Sequence, residues 1–266
     1  MKKLLTFIFI GLAFFGCNDN KQSANKAEKI VLKVGATPVP HAEILEFIKP
    51  DLEKEGIDLQ IVQFTDYVTP NISLNDGSLD ANFHQHKPFL DALKKDKGLD
   101  LEPIASIHIE PLGFYSHKFK DVDSIPQGAT IAIPNDPSNG GRALLLLDSR
   151  GVIKLADSSN LNATELDIIE NPKHIKIKPV EAALLPRTLN SVNGAVINGN
   201  YALQAGLKSS DALFLEGSQS PYANILVVQS ARVNDENLQK LKKALQSQRV
   251  KDFIEQHYQG EIVSVF

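Results

Sequence analysis

Short apolar strands alternate with helical segments along this chain, and the alternation starts afresh near its middle; no other feature narrows the fold as much. Ile30-Val31-Leu32-Lys33-Val34 is a β-branched run ending at Gly35, and His41 to Leu52 then places Ile44, Leu45, Ile48 and Leu52 at helical spacing. Ile57 to Phe64 alternates apolar and polar residues as a half-buried strand does, and Pro70 to Asp76 supports a short helix. After Pro126-Gln127-Gly128 the pattern restarts with the strand Ala129 to Pro134 and an apolar helix over Arg142 to Leu147 that ends before Gly151. Gly194 to Ile197 and Ala223 to Val228 are further buried strands. Asn234 is a plausible N-cap for a helix whose apolar stripe is Leu238, Leu241 and Leu245. Strands separated by helices predict an α/β protein with mostly parallel sheets, and 266 residues suffice for two such units.

The N-terminus has a different character. Met1-Lys2-Lys3 is followed by an apolar run from Leu4 to Phe15, too short for the ~20 residues that a membrane-spanning helix needs. Gly16-Cys17 comes next, then a polar stretch beginning at Asn18. A signal ending in a small residue and Cys resembles a bacterial lipoprotein signal, in which the cysteine sulfur is lipidated and becomes the new N-terminus. Cys17 is the single cysteine, so disulfides within the chain and thiolate zinc sites are excluded. Removing residues 1–16 takes away Lys2 and Lys3 and leaves 26 basic against 32 acidic residues, net −6, which argues against a nucleic-acid partner. Residues 17–29 read as a flexible tether.

Ligands of open α/β sheets bind at loops that leave the carboxyl ends of strands, so polar residues there are the candidates for chemistry. In Asn135 to Arg142, Ser138 or Asn139 can cap the following helix. Gly140-Gly141 can admit a ligand to the free N–H groups, and Arg142 in the first turn offers a planar fork suited to a carboxylate. Two functional readings of His84-Gln85-His86 stand. The imidazoles at i and i+2 could bind zinc together with His41, or they could join Phe83, Phe89 and Tyr67 as the wall of a pocket for a small organic side chain. A bland reading, surface or capping histidines, also remains. Asn198 and Asn200 follow a strand and read either as ligand contacts or as turn formers. No Gly-x-Ser-x-Gly elbow, P-loop, Gly-x-Gly-x-x-Gly or His-Glu-x-x-His occurs.

Several segments occur in an order that is specific when taken together. They are Gly35-Ala36-Thr37-Pro38 with Pro40-His41-Ala42-Glu43, Asp66-Tyr67-Val68 with Pro70-Asn71, Leu79-Asp80-Ala81-Asn82 with Gln85-His86-Lys87-Pro88, Asn135-Asp136-Pro137-Ser138-Asn139 with Gly141-Arg142, Glu170-Asn171-Pro172-Lys173, Leu185-Pro186-Arg187, Ile197-Asn198 with Tyr201-Ala202, and Ser220-Pro221-Tyr222. Over nearly the whole mature chain this series resembles the methionine-binding lipoproteins of the MetQ/NlpA family. The resemblance implies a two-lobed periplasmic-binding-protein fold, type II-like, with residues 31–112 and 225–266 in lobe I and residues 113–224 in lobe II. It implies a non-enzymatic, cofactor-free receptor, anchored at the cell membrane through Cys17 and facing the periplasm or exterior. Such a receptor delivers methionine to the permease and ATPase of an ABC importer. Carried over by position, Arg142 would hold the ligand carboxylate and Asn198, Asn200 and Asn224 its head group. Tyr67, Phe83, His84, His86 and His41 would enclose the thioether, and no metal would be needed. One departure concerns side-chain specificity: family members commonly have Phe immediately before the Gln-His pair, where this chain has His84.

Overall fold

The computed structural model describes residues 29–217 and 220–266; the signal segment, Cys17 and most of the expected tether lie outside the described residues. The chain begins with β1 (Ile30–Ala36), α1 (Glu43–Lys54), β2 (Ile57–Gln63), α2 (Thr69–Asn75), β3 (Ala81–His86), α3 (Lys87–Lys97) and β4 (Leu101–Ile109). After β4 it leaves this sheet for a second one. There β5 (Gly113–Tyr115) and β6 (Thr130–Pro134) are followed by α4 (Pro137–Ser149), β7 (Lys154–Leu155), β8 (Ile168–Glu170), β9 (Lys176–Val180), α5 (Leu185–Thr188), β10 (Gly194–Ile197), α6 (Gly199–Gln204) and β11 (Ala212–Leu215). The chain then returns through β12 (Ala223–Gln229), α7 (Glu236–Leu245), α8 (Gln248–Tyr258) and β13 (Val263–Ser264).

The first sheet has the order β13-β4-β12-β3-β1-β2 and the second β11-β5-β10-β6-β9, while β7 and β8 form a separate pair. Both large sheets are mixed. β1 runs parallel to β2 and β3, and β6 parallel to β9 and β10. β12, arriving from the other lobe, inserts antiparallel between β3 and β4, and β5 pairs antiparallel with β10 in the second lobe. Strands that follow a crossing reverse the local direction, which periodicity alone does not reveal.

Each lobe has its own core. The apolar stripe of α1, Ile44, Leu45, Ile48 and Leu52, packs on Leu32, Val34 and Leu59 of the sheet and on Leu238, Leu241 and Leu245 of α7. Burial of each such side chain stabilises by roughly 2 kcal/mol, which is why the stripe dictates where the helix docks. In the second lobe Leu144 and Leu147 of α4 join Ile131, Ile133, Phe114 and Val196. Two helix starts differ from expectation. Asp235, not Asn234, caps α7, accepting from the N–H groups of Asn237 and Leu238. Asp136 caps α4, with its carboxylate accepting the N–H of Asn139 at 2.8 Å and Pro137 in the first turn.

Candidate functional site

The longer reach of α4 changes the part its residues play. Arg142 lies beyond the first turn, and Gly140 and Gly141 are inside the helix rather than in a loop before it. Gly141 is required by packing: a Cβ there would come within 2.6 Å of the Leu161 carbonyl oxygen and 3.2 Å of Ala163 main-chain atoms. The glycines therefore let a neighbouring segment approach the helix, and the expected glycine cradle for an anion gives way to a side-chain site.

That site is a buried cavity between the two lobes, lined by Tyr67, His84, Gln85, His86, Phe89 and Glu110 on one side and by Asn139, Arg142, Asn198, Gly199 and Asn200 on the other, with Asn224 from β12. Of the nine residues carried over from the family pattern, seven meet here, Tyr67, His84, His86, Arg142, Asn198, Asn200 and Asn224, whereas His41, fully buried, is not among the lining residues. Phe83 does not line the cavity. It is fully buried in the first lobe's core, edge-on to His41 with ring centroids 4.7 Å apart.

A bulge explains how His84 and Phe83 are placed. The mostly polar segment Ala81–His86 is the strand β3, all of it buried. Against β12, Ile225 faces Gln85 and Leu226 faces Phe83, so His84 is the extra residue. Bulges re-aim side chains, and this one restarts the alternation of faces. Asn82 and Gln85 thereby reach the same partner, Asn71 of α2, with bonds of 2.8 Å from Asn82 Nδ2 and 2.6 Å from Gln85 Nε2 to Asn71 Oδ1. These buried amides satisfy one another, as burial of polar groups demands. His84 is buried within the cavity wall, and neither ring nitrogen has a hydrogen-bond partner among the described residues. Burial, reinforced by His41 and His86, holds its pKa well below the usual value, so it is a neutral imidazole with an unused donor and acceptor.

His86 caps α3: its Nδ1 accepts the N–H of Phe89 at 3.2 Å, so Nε2 carries the proton and donates to Asn139 Oδ1 at 3.0 Å across the cleft. Burial above all, then the positive Arg142, lowers its pKa to about 3. Asn139 is oriented unambiguously, because its Nδ2 donates to both oxygens of Asp136 at 3.0 Å. Asn198 must therefore donate its Nδ2 to Asn139 Oδ1, at 2.8 Å, which leaves Asn198 Oδ1 as a buried acceptor without a partner. Asn200 accepts from the Tyr67 hydroxyl at 2.5 Å, and its Nδ2 is a buried donor without a partner. Asn198 thus sits at the helix start without capping through its side chain, and both asparagines line the cleft.

Arg142 is less free than its sequence context suggests. Its Nε donates to Glu216 Oε1 at 2.9 Å, and Nη2 donates to Glu216 Oε2 and to the Glu110 carbonyl oxygen, the latter at 2.9 Å. The guanidinium lies 4.3 Å from the centroid of the Tyr222 ring. Among the described residues only Nη1 is left without a protein bond, so the fork expected to grip a carboxylate with two nitrogens presents one. The pairing with Glu216 spans 74 positions and had no sequence signal.

The zinc alternative does not assemble as expected. His86 uses both ring nitrogens. His41 has Thr37 Oγ1 at 2.7 Å from Nδ1 and Asn224 Oδ1 at 3.1 Å from Nε2. Among the described residues, the titratable group whose ligand atoms converge is His41, His108 and Glu110, within 4.8 Å of one another. Glu110 was missed in the sequence, although an acid directly after a buried strand and before Pro111 is the kind of residue to weigh at a strand's carboxyl end.

Two α/β lobes with their buried polar side chains converging on a cleft define a solute-binding protein of the periplasmic-binding type. Residues 32–266 match the NlpA lipoprotein family. The chain is 42% identical over 265 residues to the probable D-methionine-binding lipoprotein MetQ of Pasteurella multocida, covering 97% of this chain and 96% of that protein. It is similar to the nutrient-binding protein of Burkholderia cenocepacia solved bound to methionine, with TM-score 0.85 and 46% identity, covering 88% of this chain and 100% of that one. The lipoprotein Tp32 of Treponema pallidum superposes with TM-score 0.86 at 40% identity, covering 89% and 100%. The chain belongs to the NlpA lipoprotein family, whose members are substrate-binding lipoproteins and not enzymes.

Proposed function

We propose that this protein is a receptor tethered to the membrane by lipid on Cys17, facing the periplasm or exterior, that closes on methionine or a close derivative and passes it to the permease and ATPase of an ABC importer. The observation carrying this reading is the chemistry of the unused atoms. One buried cavity holds an acceptor without a partner, Asn198 Oδ1, and a donor without a partner, Asn200 Nδ2, and is lined by the cationic Arg142. That set complements the ammonium and carboxylate of an amino acid. The relatives named for methionine, and the methionine-bound neighbour, support methionine as the side chain bound.

Tyr67 and Phe89 meet edge to face at 5.7 Å, and His84 lies 6.2 Å from Tyr67, so these rings form an aromatic corner suited to a polarisable thioether. Cross-cleft bonds from Tyr67 to Asn200, from His86 to Asn139 and from Tyr201 to the Thr65 carbonyl oxygen, at 3.0 Å, already bridge the lobes. A ligand held by residues of both lobes binds this closed arrangement better than an open one and shifts the population toward it. Native mass spectrometry of protein purified without unfolding tests the reading. An added mass equal to methionine, lost on denaturation, supports it; a chelatable zinc mass in its place contradicts it.

A further inference from the structure

Among the described residues Glu110 is the only acidic one lining the cavity, and it is 6% exposed. Its surroundings are built for it. His108 Nε2 is 2.8 Å and His41 Nε2 3.3 Å from Oε1, while the main-chain N–H of Asn200 donates to Oε2 at 3.0 Å. With Thr37 and Asn224 as its other neighbours, His41 is consistently an Nε2–H donor. Because His41 Nε2–H is bonded to Asn224 Oδ1, the donors to the carboxylate are His108 Nε2 and the Asn200 N–H, which leave about two of its roughly four acceptor sites open. Gly199 makes room for this arrangement, since a Cβ there would lie 2.8 Å from Glu110 Cβ.

The charges complete the argument. Arg142 is already matched by Glu216, so within the cleft the positive head-group partner is largely neutralised by the protein itself. Glu110 has hydrogen bonds but no lysine or arginine side chain paired with it among the described residues. Burial of an anion with no cationic side chain in ion-pair contact is unfavourable, and a ligand cation relieves it. Arg142 Nη2 also donates to the main-chain carbonyl of Glu110, which fixes the guanidinium beside the carboxylate's own residue.

Resting on the amino acid reading above, we infer that Glu110, steadied by His41 and His108, takes the ligand's α-ammonium and makes a free amino group a stronger requirement of this cleft than a free carboxylate. Asn198 Oδ1 is the second acceptor for that group, and Arg142 Nη1 with Asn200 Nδ2 serve the carboxylate end. The cleft therefore selects ligands bearing a primary ammonium next to a compact polar group and discriminates against desamino analogues.

The test is calorimetric titration of ligand-stripped protein at pH 6.5 with L-methionine, with L-methioninol, which keeps the ammonium but not the carboxylate, and with 4-(methylthio)butanoate, which keeps only the carboxylate. On the wild type the butanoate is expected to lose at least a hundredfold in affinity and methioninol about tenfold. Glu110→Gln is expected to weaken methionine and methioninol about a hundredfold while leaving the butanoate unchanged. Equal losses for all three ligands in Glu110→Gln, or a wild type that prefers the butanoate to methioninol, overturn the inference. If Glu110→Gln fails to fold, the wild-type ranking alone decides. A wild type that binds none of the three refutes the amino acid reading instead.

Discussion

Replacing Arg142 by Lys separates a two-sided guanidinium from a simple positive charge. The guanidinium spends one edge on Glu216 and the Glu110 carbonyl and keeps Nη1 for a ligand, an arrangement that needs several nitrogens in one rigid plane. A lysine ammonium is a single centre on a flexible stem, and once drawn to Glu216 it cannot also reach a ligand carboxylate. The loss is one charge-assisted hydrogen bond in a dry cleft, worth about 1.5–3 kcal/mol. At 1.4 kcal/mol per factor of ten, that weakens methionine binding by roughly 10- to 150-fold. Because the positive charge beside Glu216 is retained, stability is expected to fall by only about 1 kcal/mol, the net worth of ordinary hydrogen bonds. Arg142→Ala should lose both affinity and stability, since it leaves Glu216, 16% exposed, without its partner. Calorimetry gives the affinities and urea melts the stabilities. An Arg142→Lys protein that binds methionine within threefold of the wild type would refute the geometric reasoning.

Three other outcomes follow from the same structure. Gly141→Ala brings a methyl against the main chain of Leu161 and Ala163, and the overpacking cost of about 1–3 kcal/mol should exceed the helix-propensity gain of about 1 kcal/mol; a raised urea midpoint would contradict the packing role. His84→Phe removes two buried nitrogens without partners, so the thermal midpoint should rise and methionine affinity hold or improve; a tenfold loss of affinity would show instead that an imidazole nitrogen bonds the ligand. Acid should destabilise the fold. Burial, aided by His108 and opposed by Glu110 and the Asn224 bond, lowers His41 from 6.5 to about 4, and burial and Arg142 lower His86 to about 3, so the unfolded chain takes up these protons first. Their contribution is complete above pH 6.5 and disappears as pH falls toward 4 and then 3, roughly 3 kcal/mol for His41 alone. Burial acts to raise the Glu110 pKa, but His41, the His108 bond and Arg142 outweigh it and lower the value, which adds loss in the same acid direction. Urea midpoints unchanged between pH 7 and 5 would contradict this.

Local pattern was enough wherever one element's own periodicity decided its burial. The α1 stripe of Ile44, Leu45, Ile48 and Leu52 and the α7 stripe of Leu238, Leu241 and Leu245 are buried as their spacing predicts. The start of α4 is ambiguous in the sequence because Asp136, Ser138 and Asn139 are all good N-caps; Pro137, favoured in a first turn, is the signal that points to Asp136. β3 lacks a strand's apolar alternation because Asn82, His84, Gln85 and His86 are polar. What lets them be buried in a strand is Asn71, reached through α2, and a bulge set by the pairing with β12. That same bulge sends Phe83 into the core, so the aromatic expected as a pocket wall lies behind it. The ion pair of Arg142 with Glu216 and the meeting of Glu110 with His41 and His108 depend on where the chain crosses between lobes, which short-range pattern does not encode.

The central claim is that the cleft built from Arg142, Asn198, Asn200 and Asn224 binds methionine, and the most direct test is one calorimetric titration. Protein unfolded to remove any ligand and then refolded should bind L-methionine saturably at one site per chain, with Arg142→Ala weakening that binding at least tenfold under the same conditions. No binding by the refolded wild type, with its melting behaviour intact, or undiminished binding by Arg142→Ala, would contradict the account.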